Sequence, residues 1–280
     1  MGISVRHLTF SYSGTERPAL RDVSLTIPDG SFYGIIGPTG AGKSTLCNTF
    51  IGFAPHFYRG DWAGEVTVNG AEVTGSTIGH LAREVGFVFQ NPFDQLTGAA
   101  ETAFEEVAFG LEQRGVPPAE IRRRADEALA DLGLSDHADH HPFFLSGGQQ
   151  QRLAIASVLV LEPSILVLDE ATSQLDPVGT GEVFSIAAEL HQAGRTIVMV
   201  EHKLDLLARH AQQVAVLHGG RLVLDGDAAD VLSDPRLPEW DLHPPTFVSL
   251  GMALRERGLW DGALPLTLEE AEAGLRERSS

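Results

Sequence analysis

The chain has 280 residues, 20 of them basic and 38 acidic, for a formal net charge of −18. A composition that is 43% apolar excludes a disordered chain, and no run approaches the ~18 consecutive apolar residues a membrane span needs. With no cationic excess to displace counterions, no nucleic-acid partner is expected.

The N-terminus shows neither the basic region nor the apolar core of a secretory signal. The single cysteine, Cys47, leaves no disulfide framework, so a cytosolic setting is expected. Cys47 itself reads as a small core residue. Lysine is nearly absent: Lys43 and Lys203 are the only two, and every other basic residue is arginine.

In chain order, residues 3–10 and 20–27 alternate apolar and polar, as strands do, and 65–73 reads as a hairpin turning at Asn69-Gly70. Phe32 to Ile36 is a buried strand that runs into a glycine-rich turn and a helix beginning near Gly42. Val85 to Phe89 is a further buried strand. From about Pro92 to Leu161 the period becomes helical. Phe104, Val107, Ala108 and Leu111 mark one amphipathic helix. Ile121, Ala125, Ala128, Leu129 and Leu132 mark a second, opened by Pro117-Pro118 and closed by Gly133.

Glu101, Glu105 and Glu112 share a stripe of the first of these helices, either a solvated face or a docking stripe for a basic partner. Ile165 to Leu168 and Thr196 to Val200 are the short unbroken apolar runs of central parallel strands. Val214 to Leu224 forms a hairpin around Gly219-Gly220. The Pro-punctuated tail from about Asp225 predicts two short helical pieces.

Gly37-Pro38-Thr39-Gly40-Ala41-Gly42-Lys43-Ser44, followed by Thr45, matches G-x-x-x-x-G-K-[ST] between a strand and a helix. Inward-turned backbone N–H groups and the helix N-terminus make an anion cradle. Lys43 can reach the outer phosphates of a nucleotide, and Ser44 can hold Mg²⁺. The apolar strand Ile165–Leu168 ends in Asp169 and Glu170, which places Asp169 at the metal and Glu170 at the attacking water.

Leu145-Ser146-Gly147-Gly148-Gln149 resembles the signature of the ABC ATPases. Other motifs of that family follow in order: Tyr12 is similar to the aromatic that stacks on adenine, Gln90 to the Q-loop glutamine, Ser173-Gln174-Leu175-Asp176 to the D-loop and His202 to the switch histidine. The resemblance implies an α/β fold, a P-loop NTPase core of mainly parallel sheet. To that core are added an antiparallel β subdomain, an inserted helical subdomain (about 92–161) and a small C-terminal appendage. The domains expected are an ABC ATPase domain over 1–225 and the appendage over 226–280.

It also implies ATP and Mg²⁺ as cofactors. Glu170, His202 and Gln90 would be catalytic. Tyr12, Gly37 to Thr45, Ser146, Gly147, Gly148, Gln149 and Asp176 would bind nucleotide, with Ser44, Gln90 and Asp169 at the metal. Two subunits would pack head to tail, with Ser146 and Gly148 of one capping the nucleotide on the other.

Gln90-Asn91-Pro92-Phe93-Asp94-Gln95-Leu96, with the later Glu105–Leu111 segment and the tail around Pro265–Glu270, resembles the ATPases of energy-coupling-factor (ECF) importers. Those carry x-P-D-x-Q after the Q-loop, and here the acid, Asp94, stands one place late. The resemblance implies a peripheral protein on the cytoplasmic face of the membrane. Its partners would be a second ATPase (homodimer or heterodimer), a transmembrane coupling protein with arginine-bearing helices, and a substrate-binding membrane protein for a vitamin or metal ion. The alternatives are the ATPase of a conventional binding-protein-dependent importer, or a soluble ABC ATPase outside transport.

Overall fold

The computed structural model of the chain describes residues 2–277. Two antiparallel strands, β1 (Ile3–Tyr12) and β2 (Leu20–Ile27), precede β3 (Phe32–Ile36), which feeds α1 (Lys43–Phe50). A short irregular helix α2 (Phe53–His56) leads to β4 (Gly60–Val68) and β5 (Ala71–Glu72), joined at Asn69-Gly70. Then come α3 (Ile78–Glu84), β6 (Val85–Val88), and the helical insertion of α4 (Ala103–Gln113), α5 (Pro118–Asp131) and α6 (Gly147–Leu159). β7 (Ile165–Asp169), α7 (Pro177–Gln192), β8 (Thr196–Val200) and α8 (Leu204–His210) follow. The hairpin β9 (Gln213–His218) and β10 (Arg221–Asp227) closes the sheet, and α9 (Ala228–Leu232), α10 (Thr246–Glu256) and α11 (Leu268–Glu277) form the tail.

One sheet has the order β2-β1-β4-β5 and is antiparallel; the other has the order β10-β9-β3-β8-β7-β6. In the second, β9, β3, β8, β7 and β6 run parallel, and only β10 is antiparallel. Its central strands β3, β8 and β7 are buried at every position because both faces are covered. Phe32, Ile36, Leu166, Leu168, Ile197 and Met199 face a core shared with the helices. Tyr33, Ile35, Ile165, Val167, Val198 and Val200 face a second core, shared with α1 and the antiparallel sheet. Burying each such side chain contributes about 1.5–3 kcal/mol. Cys47 lies in this second core, its thiol pKa pushed up by burial, and is a packing residue.

α4 packs on α5 and α6, and its start is a capping box in which Thr102 caps the Glu105 N–H while Glu105 accepts from Thr102 N at 3.2 Å. The C-terminal segment joins the main core early: Ala228, Val231, Leu232, Leu237 and Leu242 all pack there. Asp205 of α8 then accepts from the Thr246 backbone N–H at 2.7 Å and anchors α10. No helix among the described residues is long and apolar enough to cross a membrane.

Candidate functional site

β3 delivers the chain to the cradle, and α1 leaves it. Gly42, at φ 101, sits where an added Cβ would lie 2.7 Å from the Ala19 carbonyl oxygen; at Gly37 it would lie 2.2 Å from that of Leu217. Any side chain there would push the loop off its neighbours. The cradle opens into a cleft of about 290 Å³ lined by Ala19, Thr39 to Thr45, Gln90 and Glu170.

Lys43 is 4% exposed. Its Nζ donates to the carbonyls of Gly37 (3.0 Å) and Pro38 (3.2 Å) and pairs with Glu170 Oε1 at 3.3 Å. Glu170 is the hub of the site. Its Oε1 also accepts from His202 Nε2 at 2.9 Å, and its Oε2 accepts from Gln90 Nε2 at 2.8 Å. Three separate loops thus bring Gln90, Glu170 and His202 together, with Glu170 alone of the three on the cradle's lysine. Glu170 adopts φ 51, a left-handed conformation that costs a non-glycine residue about 1–3 kcal/mol and concentrates at functional sites.

Asp169, at the end of β7, is 5% exposed, and its pKa is pushed up to about 6. Burial is the main cause and Glu170 adds to it, while the Ser44 hydroxyl and the Lys43 charge act in the opposite direction. Its Oδ1 is buried with no hydrogen-bond partner. An orphaned carboxylate oxygen on Asp169, whose carboxyl is held by the Ser44 hydroxyl, with Ser44 and Gln90 both lining the cleft, makes an oxygen donor set suited to a hard divalent cation. The residues present fit Mg²⁺.

Tyr12, at the end of β1, is half-buried. Its ring stands edge-on to Phe10 (5.0 Å between centroids) and Tyr58 (6.0 Å), and its hydroxyl shares a 3.0 Å hydrogen bond with the Thr45 hydroxyl. Ser146 caps α6 in a capping box with Gln149, leaving an exposed helix N-terminus at Gly147 outside the cleft lining. The Gln149 amide also meets His137 Nε2 at 2.8 Å. Asp176 caps α7 by accepting from Gly179 N at 2.7 Å, and it too stands outside the cleft. Within one chain, then, the signature residues Ser146, Gly147, Gly148 and Gln149 and the D-loop Asp176 are not gathered onto the cradle.

Three features escaped the sequence reading. Gln95 pins the segment after Gln90 to β6, accepting from Phe89 N and donating to the Phe87 carbonyl. Glu106 is buried and accepts from both the N–H and the hydroxyl of Thr97, each at 2.8 Å. Glu201, buried beside His202, carries a network with Thr172; the only hint in the sequence was the rare lysine, Lys203, next to His202.

Residues 20–173 match the family model described as ABC transporter. The chain is 42% identical over 276 residues (96% of this chain, 97% of the other) to the energy-coupling factor transporter ATP-binding protein EcfA2 of Streptococcus thermophilus. Among solved structures it resembles cbiO1 from Clostridium perfringens, part of the ABC transporter complex cbiONQ. The TM-score is 0.72 at 32% identity, covering 89% of this chain and 97% of that one. It also resembles the ATP-binding cassette MJ0796, solved as a dimer in a post-hydrolysis state with ADP and Pi. There the TM-score is 0.72 at 30% identity, covering 81% of this chain and 98% of the other.

Proposed function

The chain belongs to the ABC transporter family as an ATP-binding, ATP-hydrolysing subunit, and from that premise we propose that it powers an importer of the ECF type through ATP-driven closure of an ATPase dimer. The observation that carries the hydrolytic part is the convergence of Lys43, Gln90 and His202 on Glu170. A carboxylate so held can orient water toward a phosphate lodged at Lys43. Ser44, Gln90 and Asp169 would hold Mg²⁺ with phosphate oxygens, and the ion would offset charge on the phosphates. The N-terminus of α6 at Gly147 and Gly148 offers backbone N–H groups to an anion that its own cradle does not supply, which supports a nucleotide sandwiched between two subunits. ATP closes such a dimer because it contacts both subunits only in the closed state.

The ECF assignment is supported by a likeness that runs nearly the whole length of the chain, tail included. On this reading the protein works at the cytoplasmic face of the membrane beside a second ATPase, a transmembrane coupling protein and a substrate-binding membrane protein. The Q-loop flank suits such a docking. Phe93 and Phe143 stack at 5.9 Å, and Phe144 is 86% exposed beside them. Asp94 and Glu101 are exposed on the same stretch. Glu105 is exposed as well, but its carboxylate is spent on the start of α4, accepting from Glu101 N and Thr102 N.

Reversing the charge at Asp94 or Glu101 is therefore expected to impair recovery of the coupling protein in a pull-down while ATP binding persists. Glu105→Lys is expected to do the same, with an added stability loss of about 0.5–2 kcal/mol from the broken cap. Undiminished recovery of every membrane partner with all three variants would overturn this docking surface. Co-purification of the complex, with identification of its subunits and bound small molecule, tests the importer type itself.

Tyr12 is expected to carry the adenine. Its ring is worth ~1–3 kcal/mol by analogy with base–aromatic stacking, so Tyr12→Ala should weaken ATP about 5- to 150-fold. Tyr12→Phe keeps the ring and loses only the Thr45 hydrogen bond, so it should be nearly silent in ATP binding. Equilibrium titration with a labelled ATP analogue checks both variants. Equal losses would mean that the hydroxyl, through Thr45, matters rather than the ring.

A further inference from the structure

We propose that Glu201 is a positioning residue for hydrolysis, a buried clasp that holds the His202 loop to the segment following Glu170. The proposal rests on the reading that His202 and Glu170 act together on the attacking water. Glu201 follows β8 directly and is 5% exposed. Its Oε1 accepts the backbone N–H of His202 (2.9 Å) and of Lys203 (3.1 Å). Its Oε2 accepts the hydroxyl of Thr172, two residues beyond Glu170. Lys203 closes the same junction from the other side: its Nζ donates to Thr180 Oγ1 on α7 at 2.8 Å and reaches the Thr172 carbonyl at 3.5 Å.

The chemistry of this cluster suits a clasp. A carboxylate buried this deeply is tolerated only when its lone pairs are met, and here two N–H groups and one hydroxyl meet them. Hydrogen bonds to a charged acceptor are stronger than those between neutral groups. His202 has a half-exposed side chain, so the aim of its ring depends on its backbone, and Glu201 holds that backbone N–H. An acceptor that only started α8 would need nothing from Thr172. The Thr172 bond makes Glu201 a tie between two loops, those carrying Glu170 and His202, whose side chains meet at 2.9 Å. Both lysines of the chain accordingly serve this region, Lys43 on the cradle side of Glu170 and Lys203 on the clasp side.

A double-mutant cycle on the full-length chain with its membrane partners tests this. Phosphate release at saturating Mg-ATP is measured for the parent, Glu201→Ala, His202→Ala and the double variant, with ATP affinity measured in parallel. Glu201→Ala is expected to lower turnover about 10- to 100-fold, the scale of a misplaced reacting group, and to leave ATP affinity within about twofold. The double variant should fall no more than about twofold below His202→Ala, because a residue acting through His202 has nothing left to act on.

Should Glu201→Ala not fold, Thr172→Val keeps the volume and the two backbone contacts and removes only the tie. It is expected to cost about 3- to 10-fold in turnover, the worth of one hydrogen bond, and to be silent in the His202→Ala background. Losses that multiply in either double variant, or ATP affinity that falls in step with turnover, would overturn the clasp and leave the His202 reading standing. A parental rate in His202→Ala would overturn that reading, and the clasp with it.

Discussion

Glu170→Gln is expected to lower steady-state ATP turnover by about 10²–10⁴, the scale of a lost general base, while ATP binding survives. The substitution preserves shape. The amide oxygen can still accept from His202 Nε2, and the Gln90 amide can turn to present its oxygen to the new NH₂ group, so the three-loop junction stays closed. What disappears is the negative charge that orients water and takes its proton. The variant should therefore accumulate as an ATP-loaded closed dimer, or as a heterodimer if a sister subunit is the partner. His202→Ala should also slow hydrolysis without removing ATP affinity. Phosphate release from the assembled transporter, beside size-exclusion of the ATP-bound variant, gives the answer. A parental rate in Glu170→Gln would mean that the carboxylate is not the base.

Lys43→Ala is expected to abolish tight ATP binding. The ammonium is 4% exposed and is held by two cradle carbonyls and one carboxylate, so it is aimed before any phosphate arrives. Each hydrogen bond it donates to a charged oxygen is worth about 1.5–3 kcal/mol, so losing two to the phosphates predicts a loss of roughly 10²-fold or more. The truncation also leaves Glu170, 16% exposed, without its cationic partner at the mouth of the same cleft. Carboxylate repulsion of the incoming phosphates then adds to the loss. Equilibrium titration with a labelled ATP analogue, with a thermal melt to show that the variant is folded, is the measurement. Parental affinity would remove the cradle assignment.

The cradle was legible in the sequence because its geometry is local. A six-residue loop, Gly37 to Gly42, between a buried strand and a helix has little freedom, and glycine at Gly37 and Gly42 is required by carbonyls that a Cβ would strike. The parallel strands were legible for a similar reason: β3, β7 and β8 are buried on both faces and read as unbroken apolar runs. α7 was harder to see. Its first five residues include Gly179, Thr180 and Gly181, weak helix formers, and the helix is held by the Asp176 cap and by burial of Val183, Phe184 and Ala187.

The carboxylates show where the order of residues stops being informative. Glu105 and Glu106 are chemically alike and adjacent. Helical periodicity puts Glu105 on the exposed stripe and Glu106 on the face of Val107 and Ala103, where a charge is out of place unless it is partnered. The partner, Thr97, belongs to a loop whose path no pattern predicts. Glu201 is the same case, since its value depends on Thr172 across the sheet.

What the sequence by itself determined is the family, the α/β class and the identity of each chemical group, because motifs and periodicities are short-range and each carries its own physical reason. What only the tertiary structure decided is which donors reach each carboxylate and how deeply each is buried. Glu170 gathers three loops, Asp169 keeps a buried oxygen open, Glu105 caps a helix, and Glu106 and Glu201 tie loops together. The physical reason is that a carboxylate's role is set by the donors that reach it and by its burial, and both come from residues far away in the chain.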